Sequence, residues 1–238
     1  MNKESSLYTI LYAAIMVVIV AVGLAFTHQA LNEKQIANVN MDKMQQVLRA
    51  LRVDVSAKDA AAKYNELIKE AYLIDEAGQL IAGTEGVGTE DAAFQTDIAS
   101  KDSKGLPVFV AETNGQKYYV IPMTGSGLWG AVWGYISFEE DGSTVFAADF
   151  SHESETPGLG AEIENRSFRA KFEDKGLQLI KDGEYKSIAV VKPGQTHRDK
   201  DYVDGISGGT ITSNGVSDML YDSVGKYKEF LLKLNADK

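Results

Sequence analysis

Twenty consecutive residues near the N-terminus, LYTILYAAIMVVIVAVGLAF from Leu7 to Phe26, carry no charge. As an α-helix rising ~1.5 Å per residue, this run spans about 30 Å, the thickness of a bilayer's hydrocarbon core. It sets the plan of the chain: one apolar helix with lipid around it, and a water-facing remainder that must supply its own core. A cleaved signal peptide is the rival reading. Its apolar region is usually about 7–15 residues, with a basic lead and a small-x-small cleavage site. Here the run is longer, Lys3 is offset by Glu4, and Ala21-Val22-Gly23 falls inside the apolar stretch. An uncleaved single-pass anchor in membrane lipid is therefore expected. Lys3 and the terminal amine favour a cytoplasmic N-terminus by a thin margin.

Composition bounds what the remainder can do. Of 238 residues, 44% are hydrophobic, enough for a packed core. The net charge of -10, with no extended Lys/Arg cluster, argues against nucleic acid and against an anionic membrane surface as partners of the soluble part. The absence of cysteine excludes disulfides, thiolate iron–sulfur clusters and cysteine-attached haem. His28, His152 and His197 are scattered without ligand spacing, so no metal site is expected. A redox role would need an organic cofactor or a histidine-bound metal.

Three segments follow from the patterning: 1–28 with the anchor, 29–70 as a helical connector with packing helices, and 71–238 as the main domain. Thr27 to Asn40 is polar and continues the helix out of the membrane. Met44, Val47, Leu48 and Leu51 lie at helical spacing. Ser56 suits an N-cap for a helix with Ala60, Tyr64, Leu67 and Ile68 on one face. From Ala71 the pattern turns to strands. A turn at Glu76–Gly78, an Asn114-Gly115 hairpin and a second hairpin at Asp141-Gly142 predict antiparallel pairing. Ile163–Phe172 reads as a short amphipathic helix, GLQLI and SIAVV as strands, Trp133 as core, and Asn214–Leu234 as one regular helix. Strands followed by helices indicate an α+β domain of antiparallel sheet with flanking helices. No nucleotide-binding glycine motif of the dinucleotide or P-loop kind occurs.

Three glycine-rich loops carry the chemistry: GSGLWG (Gly125–Gly130), ETPGLGAE (Glu155–Glu162) and DGISGGTITSNG (Asp204–Gly215). Glycine costs stability, so such clustering marks tight turns or close approach of a ligand to backbone. The third loop runs into a helix, with Thr212 or Ser213 as natural N-cap, and its first turn offers free amides at the positive end of the helix dipole. Gly208 and Gly209 leave that spot open. The Thr210 hydroxyl beside it can be a hydrogen-bond donor, a phosphorylation site or a covalent attachment point; the residues alone do not choose. Gly205–Gly209 also matches Gly-x-Ser-x-Gly, yet both candidate histidines precede it, the reverse of the hydrolase order, and the alternating α/β pattern is missing.

The DGISGGTITSNGV segment resembles the covalent-flavin motif Asp-x-x-Ser/Thr-Gly-Ala-Thr of the FMN-binding subunits of sodium-pumping NADH:quinone oxidoreductases and the related Rnf complexes. HESETPGLGAEI and GSGLWG resemble two further family segments, in the same order, and the resemblance covers essentially the whole chain. TSNGV is more similar to the sodium-pump branch of the family, NqrC, than to its Rnf counterpart, RnfG. The family's alanine is Gly209 here.

This resemblance implies an FMN-binding domain at 71–238 with FMN joined by a phosphoester to Thr210. Ser207, Gly208, Gly209, Thr212, Ser213, Glu155, Thr156, Gly158, Leu159 and Trp129 would surround the cofactor, Trp129 and Leu159 as candidates for contact with the flavin ring. It implies a one-electron relay without catalytic residues of its own, within a Na+-translocating NADH:quinone oxidoreductase. It implies partners among subunits B, D and E, with A and F in the assembly, and a flavin transferase that uses FAD and magnesium. The soluble domain would lie on the periplasmic side of the inner membrane. An Rnf-type relay and a membrane-tethered binding or assembly domain without flavin are the alternatives.

Overall fold

A computed structural model describes residues 6–84, 88–100, 103, 105–173 and 175–236. Two compact units divide the chain, Met1–Asp42 and Lys43–Lys238. The first is formed by the opening turns of α1 (Ser6–Arg49), whose apolar stretch has a mean hydropathy of 2.6 with no side chain buried. Among the described residues it is the helix long and apolar enough to cross a membrane. As expected, the polar residues after Phe26 continue the helix unbroken. The Thr27 hydroxyl donates to the Gly23 carbonyl at 2.8 Å, satisfying itself where the apolar run ends.

In the second unit, the last turns of α1 bury Met44, Val47 and Leu48. The helix α2 (Ala57–Leu67) buries Ala60, Tyr64 and Leu67 and passes directly into β1 (Ile68–Ile74). Ser56 holds the N-cap position, but its hydroxyl bonds the Asp59 carboxylate at 2.7 Å and not a free amide. Then come β2 (Leu80–Thr84), the single turn α3 (Ala92–Gln95), β3 (Leu106–Thr113), β4 (Gln116–Ser126), β5 (Ala131–Glu139) and β6 (Val145–His152). These strands form one antiparallel sheet in the order β2-β1-β3-β4-β5-β6. The β3–β4 turn places Asn114 at φ 53° and Gly115 at φ 75°, the paired left-handed conformations that a tight hairpin requires.

The sheet is covered on both faces, as its alternation dictates. On one face Phe109 and Tyr135 pack with Tyr64 and Phe94, and the Ser137 hydroxyl donates to the Ala50 carbonyl at 2.5 Å. On the other, Val110, Ile121, Met123, Ile136 and Phe150 meet the C-terminal half of the chain in the main core. That half comprises α4 (Arg166–Arg169), the antiparallel pair β7 (Ile180–Lys181) and β8 (Glu184–Tyr185), β9 (Ile188–Val191), β10 (Asp201–Asp204), α5 (Thr210–Gly225) and α6 (Lys228–Ala236). Strands β9 and β10 are parallel, and β10 delivers the chain to α5.

Four local expectations are corrected. The segment 163–172 is three short pieces, with 3-10 turns on either side of α4, because Ile163, Phe168 and Phe172 must all reach the core beside Phe150. The last helix breaks between Gly225 and Lys228, although Val216, Met219, Leu220, Val224, Tyr227 and Leu231 are all buried as the periodicity requires. Of GLQLI, Ile180 alone enters a named strand. Trp133 is half-buried on β5 and does not belong to the core.

Helix α5 lies close on the end of β4. A Cβ at Gly215 would stand 2.2 Å from the Ser126 carbonyl oxygen, so the contact is backbone to backbone and needs glycine. This approach carries the start of α5 to the loop that follows β4.

Candidate functional site

Helix α5 begins three to four residues earlier than the hydroxyl pattern predicts. Gly209, at φ -104° and ψ 41°, is the N-cap, and Thr210 is the first helical residue. Thr212 and Ser213 therefore lie inside the first turn and do not cap it. The Gly209 amide bonds the Ile206 carbonyl at 3.1 Å and the Ser213 amide bonds the Gly209 carbonyl at 2.9 Å. The amides of Thr210, Ile211 and Thr212 between them have no acceptor within the helix. Among the described residues the Thr210 hydroxyl likewise has no hydrogen-bond partner.

These groups open onto a cleft of about 220 Å³ lined by Leu128, Glu155, Thr156, Leu159, Gly160, Gly208, Gly209, Thr210, Ile211 and Thr212. All three glycine loops meet there. Gly208 turns the chain at φ 79°, and a Cβ on it would strike Leu159 Cδ2 at 2.8 Å. Four apolar side chains stand exposed around the cleft: Leu128, Trp129, Leu159 and Ile211. Trp129 is 65% exposed, which rules out the core role its size permits.

The centre of the site is Glu155, buried at 4% exposure. Its Oε1 accepts the Trp129 amide at 2.8 Å and its Oε2 accepts the Thr212 hydroxyl at 2.5 Å. Its own amide donates to His152 Nδ1 at 3.1 Å. Burial pushes the carboxyl upward, but the Thr212 hydroxyl and the amides of Trp129, Leu128 and Gly130 outweigh it and hold the group below the ordinary carboxylate range. One carboxylate thus joins the first loop, the second loop and α5. Gly160 leaves room for it: a Cβ there would lie 2.3 Å from Thr212 Oγ1 and 2.4 Å from Glu155 Oε2.

Of the residues singled out by sequence, Thr210, Gly208, Gly209, Thr212, Glu155, Thr156 and Leu159 line this cleft. Ser207 is exposed outside it, and Gly158 is exposed with its amide on Glu162 Oε1 at 3.0 Å. The buried Ser213 hydroxyl accepts the Ile206 amide at 2.9 Å and shapes the preceding turn. Trp129 takes part through its backbone. Leu128, Gly160 and Ile211 are lining residues that sequence reasoning passed over; each sits within a glycine motif already recognised.

Residues 127–225 match the FMN-binding domain family, a span that contains every residue lining the cleft. The chain is also 30% identical over 220 residues to NqrC of the Na(+)-translocating NADH-quinone reductase from Vibrio alginolyticus, covering 87% of this chain and 82% of that protein. The crystal structure of the NqrC protein from Parabacteroides distasonis superimposes with a TM-score of 0.77 at 48% identity, covering 84% of this chain and 96% of that one. The crystal structure of Shewanella oneidensis NqrC gives 0.64 at 25% identity, covering 84% and 99%. The chain belongs to the NqrC family, whose members are subunits of the Na(+)-translocating NADH-quinone reductase, an oxidoreductase complex.

Proposed function

We propose that this chain is a membrane-anchored electron relay that carries FMN as a phosphoester of Thr210. The observation that supports it most directly is the position of Thr210. Among the described residues its hydroxyl is unpartnered, at the first helical residue of α5, beside three amides with no acceptor in the helix that could meet a phosphoryl group. The cleft of about 220 Å³ suits the phosphate and part of the ribityl chain. The isoalloxazine ring would lie outside, against Trp129 and Leu159, within residues 71–238.

Attachment would make one bond and break one. Within a flavin transferase, the Thr210 Oγ would attack the FMN-side phosphorus of FAD, with AMP as the leaving group from the pyrophosphate and the threonine proton released. Gly208 and Gly209 keep the approach open. Once tethered, flavin supplies reversible one-electron transfer. The protein's own work is to hold the phosphate at the amides of Thr210, Ile211 and Thr212, to brace the loops through Glu155, and to leave the ring accessible. The apolar half of α1 would anchor the relay in membrane lipid, with the domain on the periplasmic side. Subunits B, D and E would be neighbours, with A and F completing the complex.

Co-expression with a competent flavin transferase tests this reading. The wild-type chain should show yellow-green fluorescence on a denaturing gel, and Thr210→Ala should lose it while keeping its thermal transition. Fluorescence that persists in Thr210→Ala places the attachment elsewhere, and a dark wild-type band rejects covalent flavin.

A further inference from the structure

Among the described residues, none that lines the cleft proposed to receive an anionic phosphate is basic. Among the described residues lining it, Glu155 is the one that carries charge, and that charge is negative. It is not a solvated carboxylate that can swing aside. It is 4% exposed and held from both ends, by the Trp129 amide at 2.8 Å and the Thr212 hydroxyl at 2.5 Å. Moving it would also leave the Thr212 hydroxyl unpaired inside the protein. The neutral donors facing the phosphate are the three amides of the first turn of α5, whose dipole adds only a partial positive charge.

We propose that the cleft discriminates by charge, accepting the phosphodiester of a tethered flavin and refusing free FMN, with Glu155 as the discriminating side chain. The proposal rests on the flavin reading above and deepens it. A phosphomonoester such as free FMN carries about -1.5 to -2 charges at neutral pH. Esterification to Thr210 removes one ionisable oxygen and leaves a single charge. A fixed carboxylate on the cleft wall opposes the more highly charged ligand more strongly. The amides, with their partial positive charge, also draw the more highly charged species, so refusal of free FMN requires the full charge of Glu155 to outweigh them. Tethering would then be a condition for occupancy and not merely a guard against loss.

The test uses the full-length chain in detergent, produced without a flavin transferase, and titrates FMN and riboflavin separately by fluorescence. Wild type should bind FMN no more tightly than riboflavin, although FMN has the additional phosphate to offer the helix. Glu155→Gln keeps the shape of the side chain and, through Oε1, the bond from the Trp129 amide, while its Nε2 donates to Thr212 Oγ1 where the carboxylate accepted. It should tighten FMN by about tenfold and leave riboflavin within about twofold, a shift of one decade in the ratio. Thr212→Val removes a partner of Glu155 but preserves the charge of the cleft, and should bring no gain for FMN. Thermal melts of all three proteins confirm that they are folded.

Several results overturn the proposal: tighter binding of FMN than of riboflavin by wild type, an unchanged ratio or no detectable gain in Glu155→Gln up to millimolar ligand, or an equal gain in Thr212→Val. The last outcome would make loosening, not charge, the cause. The flavin reading fails separately, by the absence of covalent flavin in transferase-loaded wild type.

Discussion

The Arg49 guanidinium holds the Asp149 carboxylate through two hydrogen bonds of 2.9 Å, Nε to Oδ1 and Nη2 to Oδ2. The carboxylate is 1% exposed, and Arg169 Nη1 reaches its Oδ1 at 3.2 Å. The pair ties the last turn of α1 to β6. Removing one partner of a buried pair strands the other, at a cost of about 3–5 kcal/mol. Arg49→Ala should cost about 3 kcal/mol, the low end of that range, because Arg169 keeps its contact. Denaturant unfolding of the full chain followed by tryptophan fluorescence measures it. A loss under about 1 kcal/mol would make the pair dispensable.

Glu155 sets an acid limb of stability. Its folded-state pKa lies below its unfolded value, because the hydroxyl and amide donors outweigh the effect of burial. Such a group contributes stability that is fully present above the unfolded pKa and is lost as pH falls through the folded one. Wild type should therefore weaken more steeply than Glu155→Gln as pH drops below the ordinary carboxylate range. Melting temperatures of the two proteins between neutral pH and pH 3 make the comparison, and parallel curves would count against the assignment.

Two glycines of the site should respond differently to alanine. At Gly209 the new Cβ would sit 3.1 Å from Ile206 Cβ and 3.3 Å from the Gly160 amide nitrogen, a contact relieved by small shifts. Gly209→Ala should cost less than about 1 kcal/mol and keep flavin attachment. At Gly160 the new Cβ would lie 2.3 Å from Thr212 Oγ1 and 2.4 Å from Glu155 Oε2. Gly160→Ala should break their hydrogen bond, cost about 1–3 kcal/mol and reduce loading by the transferase. Quantified gel fluorescence and thermal melts distinguish the two.

Trp129 separates ring contact from packing. At 65% exposure its side chain contributes little to folding, so Trp129→Ala should stay within about 0.5 kcal/mol of wild type. If the tethered ring rests on this indole, the variant should brighten the attached flavin by removing a quencher. Emission yield per bound flavin is the readout, and an unchanged yield would move the ring away from Trp129.

Much of the fold was legible because it is local. The Asn114-Gly115 turn demands positive φ, and the buried side chains of α5 and α6 repeat at helical spacing whether or not the helix is continuous. The boundaries were less legible. Ser and Thr are favoured N-caps because their side chains accept amide bonds, yet Gly209 caps α5 without a side chain. Thr212 is thereby released to bond Glu155, 57 residues away in sequence. No periodicity encodes a contact of that range. The three glycine loops and the resemblance pointed to the place and to Glu155, while the contacts by which this carboxylate joins the loops to α5 became visible only once β4 had brought its loop against the helix.

The shortage of positive charge around the cleft has a consequence for the population of molecules in a cell. If the bound state is reached by bond formation and not by mass action, the fraction carrying cofactor does not follow the concentration of the free vitamin derivative. It records how many chains met the maturation enzyme and how few have since been hydrolysed. Each molecule then changes state only when that bond is made or broken, and a starved cell would make fewer working copies without emptying the old ones.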